Sequence, residues 1–342
     1  MHDCWKYLRN LLKAIAMLGL AFAMPAGAVE AFALAYVNVA GLPPPVFPAA
    51  GQGNADVEKA LAEPVDLWER IRNGFAMPAL EHPLVHAHER SIADRPEQLR
   101  AILERGRKYL HYIVEAADER GLPLELALLP IVESGFNPMA QSPAQAAGLW
   151  QFIPGTGTRY GLEQNHNLDE RRDVIASTAA AFDYLAKLHA QFGDWQLALA
   201  SYNWGENAVA RSLERARAAG KDATFAALSM PDETRNYVPR LQALRNIVAN
   251  PAAFGIVLDE IPNKPYFETV AWRADIDFPT AARLAGMSAE ELRALNPGMK
   301  ATATGRSARV LLLVLPVEKV AAFRDNQASY KISGRPAARP AR

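Results

Sequence analysis

The chain has 342 residues, of which 50% are hydrophobic and 22% are charged, and its 37 Lys and Arg balance its 37 Asp and Glu. This length provides one large or two ordinary domains with enough residues for a real core. The zero net charge argues against a nucleic-acid-binding protein, which normally carries a strong basic excess.

Residues 1–28 have the pattern of a secretory signal peptide. Basic residues precede a short apolar stretch over 14–23, and Ala26-Gly27-Ala28 fits the small-x-small cleavage pattern. The stretch is short for a membrane-spanning helix, although retention as an anchor stays open. The single cysteine, Cys4, precedes the apolar stretch, where a lipid-modified cysteine does not occur. We therefore expect export to the periplasm or envelope of a Gram-negative bacterium, with peripheral envelope association left open.

Residues 29–65 are rich in Ala, Gly and Pro and are predicted to be a linker. An all-α domain is predicted over residues 66–255, because no alternating strand pattern of comparable strength appears before about residue 265. Its predicted helical stretches are 66–72, 96–120, 125–132, 173–189, 195–217 and 235–249.

Three histidines, His82, His86 and His88, are spaced like metal ligands. No cysteine or well-spaced carboxylate completes a ligand set, and Pro83 indicates a loop at this point. We therefore expect no metal site, and nothing in the sequence calls for a cofactor.

A small β-α-α-β module is predicted over residues 260–325. Strands are indicated over 267–272 and 310–315, with helical pieces over 279–284 and 290–295 between them. Ser288 and Glu291 have the spacing of a capping box. Residues 326–342 carry arginines among Pro, Ala and Gly and are predicted to be a disordered tail. The predicted fold class is therefore mainly α with a small C-terminal β-α-α-β module.

Glu133 ends an almost wholly apolar run that begins at Leu126. The last turn of a helix presents unsatisfied carbonyls that disfavour negative charge, and burial also raises the pKa of a carboxyl group. Both effects favour a general acid. Taken alone, the run is explained better by an ordinary helix end whose glutamate reaches water.

Aromatic residues alternate with amides and hydroxyls in several later blocks. Such blocks are typical of a carbohydrate cleft, where sugar faces stack on rings and hydroxyl and N-acetyl groups take directional hydrogen bonds. Trp150 and Trp204 are candidates for such stacking or for the core. The blocks are Gly148-Leu149-Trp150-Gln151-Phe152, Phe192-Gly193-Asp194-Trp195, Tyr202-Asn203-Trp204-Gly205 and Glu233-Thr234-Arg235-Asn236-Tyr237-Val238.

Residues 66–247 resemble the soluble-lytic-transglycosylase (goose-lysozyme-like) superfamily. Four motifs carry the resemblance and occur in the order found in that family: Glu133-Ser134, Gly148-Leu149-Trp150-Gln151, Tyr202-Asn203-Trp204-Gly205 and Glu233-Thr234-Arg235-Asn236-Tyr237-Val238. The resemblance implies a lysozyme-like helical catalytic domain. It also implies cleavage of the β-1,4 bond between N-acetylmuramic acid and N-acetylglucosamine in peptidoglycan glycan strands, with 1,6-anhydromuramyl ends as product.

By motif position, the resemblance implies that Glu133 is the single catalytic acid/base. Ser134 is expected to orient the Glu133 carboxylate or to be a plain helix-end hydroxyl, and Glu233 to bind sugar or to cap a helix. The implied substrate-binding residues are Ser134, Gln151, Tyr202, Asn203, Glu233 and Tyr237.

The C-terminal module resembles a degenerate LysM peptidoglycan-binding repeat over residues 286–297 and at Leu315-Pro316. The usual Gly-Asp-Thr opening is replaced by Asp275-Ile276-Asp277-Phe278-Pro279-Thr280, so glycan binding and packing against the catalytic domain both stay open.

Two other functions also stay open. One is a goose-type hydrolytic muramidase, in which Asp169 or Glu206 activates water. The other is a non-catalytic scaffold that only holds peptidoglycan. The sequence predicts neither protein partners nor oligomeric state.

Overall fold

Helices make up most of the chain between residues 65 and 255. The computed structural model describes residues 65–272, 276–300 and 311–330, so the predicted signal peptide, nearly all of the predicted linker and residues 331–342 lie outside the described residues. The helices of this part are α1 (Leu67–Asn73), α2 (Pro83–Ala93), α3 (Pro96–Glu119), α4 (Leu129–Ser134), α5 (Pro154–Arg159), α6 (Val174–Phe192), α7 (Trp195–Trp204), α8 (Glu206–Ala218) and α9 (Asp232–Ala249).

Several of these helices begin at a residue whose side chain caps the first turn, and some of them end at a glycine. The carboxylates of Asp66, Asp173 and Asp194 accept backbone N–H groups in the first turns of α1, α6 and α7. Gly135 and Gly193 follow α4 and α6 in the left-handed conformation that glycine adopts without steric cost.

One apolar core unites the helical part. Helix α7 packs against α6, α8 and α9, and α9 also packs against α2. Each large buried side chain contributes about 2–3 kcal/mol through burial, so the core fixes the helix ends that carry the polar motifs. Large, fully buried members of the core are Trp68, Tyr109, Phe136, Trp150 and Phe182.

Pro83 begins a helix, so the prediction of a loop at this point was wrong. Proline is tolerated in the first helical turn because that N–H has no helical partner. His82 caps the same helix, since its Nδ1 accepts the Leu84 N–H at 3.1 Å.

Two predicted helices are each divided in two. Gly205 has φ 94° and ψ 137°, which no helix accommodates, and it separates α7 from α8 within the predicted stretch 195–217. The predicted stretch 125–132 begins instead as a 3-10 helix, Leu124–Leu128, and continues as α4.

The C-terminal module has its own small core. Strands β1 (Phe267–Trp272) and β2 (Leu311–Pro316) pair antiparallel, with Phe267 opposite Pro316. The buried side chains that the strands and helices share include Val270, Phe278, Leu313 and Phe323. The helices of the module are α10 (Phe278–Leu284), α11 (Ala289–Leu295) and α12 (Val317–Ser329).

The capping box is confirmed, because the Ser288 hydroxyl accepts the Glu291 N–H while the Glu291 carboxylate accepts the Ser288 N–H. Helix α12 was not predicted. It extends to Ser329 and places Phe323 in the core, so residues 326–329 are helical and the predicted disorder does not begin at residue 326.

Among the described residues, no helix is both long enough and apolar enough to cross a membrane.

The packing of Gly106 on Phe136 gives a test of the core. A Cβ at Gly106 would lie 2.4 Å from a ring carbon of Phe136, which is 1% exposed. We therefore expect Gly106→Ala to lower the free energy of unfolding by about 1–3 kcal/mol, although alanine ordinarily stabilises a helix relative to glycine. Urea denaturation measures the change.

Gly155 in α5 is the matched control, because a Cβ there meets nothing within 4 Å. Gly155→Ala should be neutral or stabilising by up to about 1 kcal/mol. Equal effects of the two substitutions would contradict the packing described for Gly106.

Candidate active site

Glu133 lies in the last turn of α4, where the sequence predicted an acid in an unfavourable environment. Leu129, Pro130 and Ile131 bury the other face of this short helix, and Gly135 ends it. The Glu133 side chain is only partly accessible to solvent. The carboxylate is therefore fixed at the edge of the core.

The Tyr237 hydroxyl donates a hydrogen bond to Oε1 of Glu133. Tyr237 belongs to α9 and is itself 5% exposed. The contact joins two helices that are distant in sequence and gives the acid a neutral donor.

The pKa of Glu133 is raised from an ordinary value of 4.5 to about 8. Burial is the main cause, because it penalises the charged form. The negative charge of Glu233 raises the pKa further, whereas the Tyr237 hydrogen bond and the positive charge of Arg240 lower it. The carboxyl group is therefore protonated at neutral pH, as a general acid must be.

Tyr202 lies close to the acid, as its motif position implied. Its hydroxyl donates to the Trp150 carbonyl at 2.9 Å. Its ring packs against Phe152 and Tyr184, with centroids 6.2 and 5.4 Å away. Burial, and then the negative charge of Glu133, raise the pKa of Tyr202 well above its ordinary value.

Asn203 and Glu233 are brought together at the junction of α7 and α9. The Thr234 hydroxyl donates to Oδ1 of Asn203 at 2.7 Å, and Nδ2 of Asn203 donates to Oε1 of Glu233 at 3.4 Å. Glu233 lies in the first turn of α9, where helix polarity favours a carboxylate, and its charge reaches Glu133.

Gln151 lies in the loop between α4 and α5 with a positive φ of 50°. Its Nε2 donates to the Gly148 carbonyl at 2.8 Å and to the Ala140 carbonyl at 3.5 Å. Within the described part of the chain, no hydrogen bond uses its Oε1, which is therefore available as an acceptor.

Ser134 does not contact the Glu133 carboxylate. Its hydroxyl donates to the Leu149 carbonyl at 3.0 Å and to the Pro130 carbonyl at 3.3 Å. These two backbone carbonyls share the single proton of the hydroxyl, so Ser134 does not donate to the Glu133 carboxylate. The expectation that Ser134 directly orients the acid is therefore not met. Ser134 instead ties the end of α4 to the loop that carries Gln151.

The two carboxylates of the hydrolytic alternative are already engaged. Asp169 is 2% exposed and is bound by Arg171 at 2.8 Å from both Nε and Nη2. Burial raises the pKa of Asp169, but the hydrogen bonds and charge of Arg171 outweigh it and leave the pKa below its ordinary value.

Glu206 is engaged in the same way. It accepts the Tyr184 hydroxyl at 2.7 Å, Lys187 Nζ at 3.0 Å and Arg159 Nη1 at 3.2 Å. Burial raises the pKa of Glu206, but these donors outweigh that effect and the pKa lies below its ordinary value. Neither carboxylate has the raised pKa of Glu133.

Each histidine of the candidate metal set has another partner. His86 Nδ1 lies 2.9 Å from a Glu89 carboxylate oxygen, and His88 Nε2 lies 3.0 Å from Oδ1 of Asn236. Over the described ranges, no group of three or more His, Cys, Asp or Glu side chains has the arrangement of a metal site. That the protein uses no metal or cofactor stays a prediction.

Sequence reasoning missed two polar residues and one backbone group. Thr234 fixes Asn203, and the carbonyl of the fully buried Trp150 fixes Tyr202, so Trp150 belongs to the core and is not a sugar-stacking platform. Arg240 lowers the pKa of Glu133. The only indication of this role in the sequence is that Arg240 lies three residues after Tyr237, on the same face of the helix.

A separate cavity of about 170 Å³ lies between α3 and residues 255–261. Trp68, Leu103 and Asp259 contribute to its lining, which includes none of the residues around Glu133.

Two known domain families match parts of this chain. Residues 111–225 match the transglycosylase SLT domain, and residues 266–332 match the LysM-like domain of lytic transglycosylase MltD. Glu133, Gln151, Tyr202 and Asn203 lie within the first match, whereas Glu233 and Tyr237 follow it.

Among curated proteins, membrane-bound lytic murein transglycosylase D of Escherichia coli strain K12 is 35% identical over 296 residues. The match covers 83% of this chain and 65% of the relative, so the chain spans less than two thirds of the relative's length. A protein of Alteromonas sp. strain M-1, named for tributyltin chloride resistance, is 44% identical over 110 residues, which are 32% of this chain and 53% of that protein.

A solved structure of lytic transglycosylase Slt from Pseudomonas aeruginosa is 25% identical, covers 42% of this chain and 24% of that chain, and has a TM-score of 0.34. The predicted mainly helical fold with a LysM-like module is confirmed by the helices of the structure together with the two domain matches. The chain thus carries a transglycosylase SLT domain over residues 111–225 and an MltD-type LysM-like domain over residues 266–332.

Proposed function

We propose that this chain is a lytic transglycosylase that cleaves the β-1,4 bond between N-acetylmuramic acid and N-acetylglucosamine in peptidoglycan. The observation that carries the proposal is Glu133, a carboxyl group with a pKa raised to about 8 and a buried tyrosine as its hydrogen-bond donor. The name of the E. coli relative, a lytic murein transglycosylase, supports the same substrate class.

In the proposed reaction, protonated Glu133 donates its proton to the glycosidic oxygen as the bond from that oxygen to C1 of the muramyl residue breaks. The resulting carboxylate then takes the proton from the muramyl C6 hydroxyl while O6 attacks C1. A 1,6-anhydromuramyl end and an N-acetylglucosamine hydroxyl result. No water is consumed, and Glu133 returns to its protonated form.

A single acid is sufficient for this reaction, whereas glycosidases commonly use a pair of carboxylates. Glu233 is the carboxylate whose charge acts on Glu133, and it disfavours ionisation of the acid. Asp169 and Glu206 have pKa values below their ordinary range because of the cations and hydroxyls that bind them. Because these donors occupy the oxygens that would bind a water molecule, neither carboxylate is placed to activate water, and this supports the intramolecular reaction over hydrolysis.

We propose direct contacts with the glycan for two residues of the site, Gln151 and Asn203. Gln151 presents Oε1 to an N-acetyl N–H or a sugar hydroxyl, because its Nε2 is committed to backbone carbonyls. Asn203 is held by Thr234 and lines the cleft beside Glu233. Tyr202 and Tyr237 place their hydroxyl groups and rings near the acid. Ser134 holds the loop that carries Gln151.

The proposed location is the bacterial envelope, where peptidoglycan is found. The E. coli relative is named as membrane-bound, and residues 1–28 predict export.

Replacing Glu133 tests the proposed reaction. Glu133→Gln removes the proton donor at nearly constant shape, and we expect turnover of purified peptidoglycan to fall by at least about 10²–10⁴-fold. Mass spectrometry of the wild-type digest should show 1,6-anhydromuramyl ends.

Glu104→Gln on the exposed face of α3 is the matched control and should keep wild-type turnover. Reducing muramic ends in place of anhydro ends would indicate the hydrolytic muramidase. Unchanged cellular function of Glu133→Gln would indicate the non-catalytic scaffold.

The pH dependence of kcat/KM tests the neighbours of the acid. Activity should fall as pH rises through about 8, because the proton donor is then lost. Tyr237→Phe removes a hydrogen bond that favours the charged form, so the alkaline limb should move to higher pH. Glu233→Gln removes a negative charge, so the limb should move to lower pH. If both substitutions moved the alkaline limb in the same direction, the causes assigned to the raised pKa of Glu133 would be refuted.

The raised pKa also predicts how stability depends on pH. Between pH 4.5 and about 8, native Glu133 retains a proton that the unfolded chain has lost, so stability falls as pH rises through this window. Glu133→Gln should therefore match the wild type near pH 4 and become increasingly more stable up to about pH 8. The difference has an upper bound of about 5 kcal/mol, at about 1.4 kcal/mol per pKa unit.

Urea denaturation between pH 4 and pH 9 measures this difference. A stability gap that does not change with pH would mean that the pKa of Glu133 is not raised by folding.

A further inference from the structure

The segment that follows α11 in the C-terminal module pairs with the loop that precedes α6 in the helical domain. The Asp169 N–H donates to the Gly298 carbonyl at 2.8 Å, and the Lys300 N–H donates to the Asn167 carbonyl at 2.9 Å. The two parts of the chain are therefore joined by backbone hydrogen bonds, which fix their register.

Asp169 is also the centre of a buried ionic cluster. Its carboxylate is bound by Arg171, with Arg172 Nε at 3.9 Å and Lys300 Nζ at 3.8 Å. Lys300 thus brings a charge from the C-terminal module to a carboxylate of the helical domain. All three cations act on one buried anion, whose position determines where the arginines point.

Arg171 connects this cluster to the loop of residues 137–153. Its Nη1 donates to the Gln145 carbonyl at 2.7 Å and to the Phe152 carbonyl at 3.2 Å. The backbones also touch, because a Cβ at Gly148 would lie 1.8 Å from the Arg171 carbonyl oxygen. The loop therefore rests directly on the segment that holds Asp169.

Arg172 reaches the same loop at a second point. Its Nη2 donates to Oε1 of Gln141 at 2.9 Å, and its Nη1 donates to the Ala140 carbonyl at 3.3 Å. That carbonyl also accepts Nε2 of Gln151 and the Gly148 N–H. A shift of Arg172 would thus be transmitted to Gln151 through a single shared acceptor.

We propose that the 298–300 segment of the C-terminal module positions the active-site loop 137–153, acting through Asp169, Arg171 and Arg172. The module is then part of the catalytic framework, whatever its affinity for glycan. Asp169 is a positioning residue and contacts no substrate. The activity consequence rests on the proposed function, whereas the effect on the loop does not.

Gly298→Leu separates the two parts of the chain without altering any residue of the helical domain. A Cβ at Gly298 would lie 3.1 Å from the Asp169 carbonyl oxygen and 3.2 Å from the Asp173 N, so a leucine must displace the segment. Lys300→Ala is a milder second variant. Lys319→Ala is the matched control, because Lys319 Nζ contacts the Gly286 carbonyl within the module.

On soluble, peptide-free glycan strands, we expect Gly298→Leu to lower kcat for anhydro product on the order of tenfold with KM within about twofold of wild type. Lys300→Ala should lower kcat by a smaller factor and Lys319→Ala should not change it. A raised KM on insoluble peptidoglycan with an unchanged kcat would overturn the proposal, because it is the behaviour of a glycan-binding module.

Amide hydrogen exchange gives a readout that does not need activity. Ala147 and Gly148 donate to the Phe152 and Ala140 carbonyls, and both amides should exchange faster in Gly298→Leu than in the wild type, with α3 and α9 unchanged. The proposal would be overturned if the loop amides of Gly298→Leu exchanged at the wild-type rate. It would also be overturned if exchange accelerated equally throughout the helices. If the wild type forms no anhydro product while loop exchange still accelerates, the proposed function fails and the positioning role stands.

Discussion

The hydrogen bond between the Tyr237 hydroxyl and the Glu133 carboxyl group is the contact on which the rest of the site depends. An ionised carboxylate is strongly disfavoured in an apolar environment unless cations or several donors compensate it. A single phenol compensates little, so burial prevails and the pKa of Glu133 rises to about 8. An arginine at the same position would hold the carboxylate ionised. The buried faces of α4 and α9 bring a neutral donor to the acid, and the protonation state follows from that choice.

The irregular loop between α4 and α5 has no regular ladder of backbone hydrogen bonds, so side chains supply part of its support. Arg171 and Arg172 donate to four backbone carbonyls of the loop, and Asp169 compensates their charge. The charged groups Asp169, Arg171 and Arg172 are thereby paired with one another or with carbonyls of the loop. The groups that act on Glu133 are the Tyr237 hydroxyl and the charges of Glu233 and Arg240, so few residues set its electrostatic environment.

Periodicity and local chemistry predicted much of the fold. Helix α3, strand β1 and the Ser288 capping box follow from patterns over adjacent residues. The environment of Glu133 was also predictable, because an apolar run ending in an acid implies burial. Its partners were not, since Tyr237 is 104 positions away and only tertiary packing brings the two together. Gly205 was predicted to be helical because the residues on both sides of it have a helical pattern. Its positive φ instead separates two helices.

Glu133, Asp169 and Glu206 show why carboxylates cannot be counted as catalytic groups from the sequence alone. All three are wholly or partly shielded from solvent, and burial raises the pKa of each. For Asp169 a bidentate arginine reverses the effect, and for Glu206 a lysine, an arginine and a tyrosine do so. For Glu133, burial and the negative charge of Glu233 outweigh the Tyr237 hydrogen bond and the positive charge of Arg240, so the carboxyl group stays protonated. The reaction proposed above needs one proton donor and no second activated carboxylate, and this distribution of partners is the basis for that proposal.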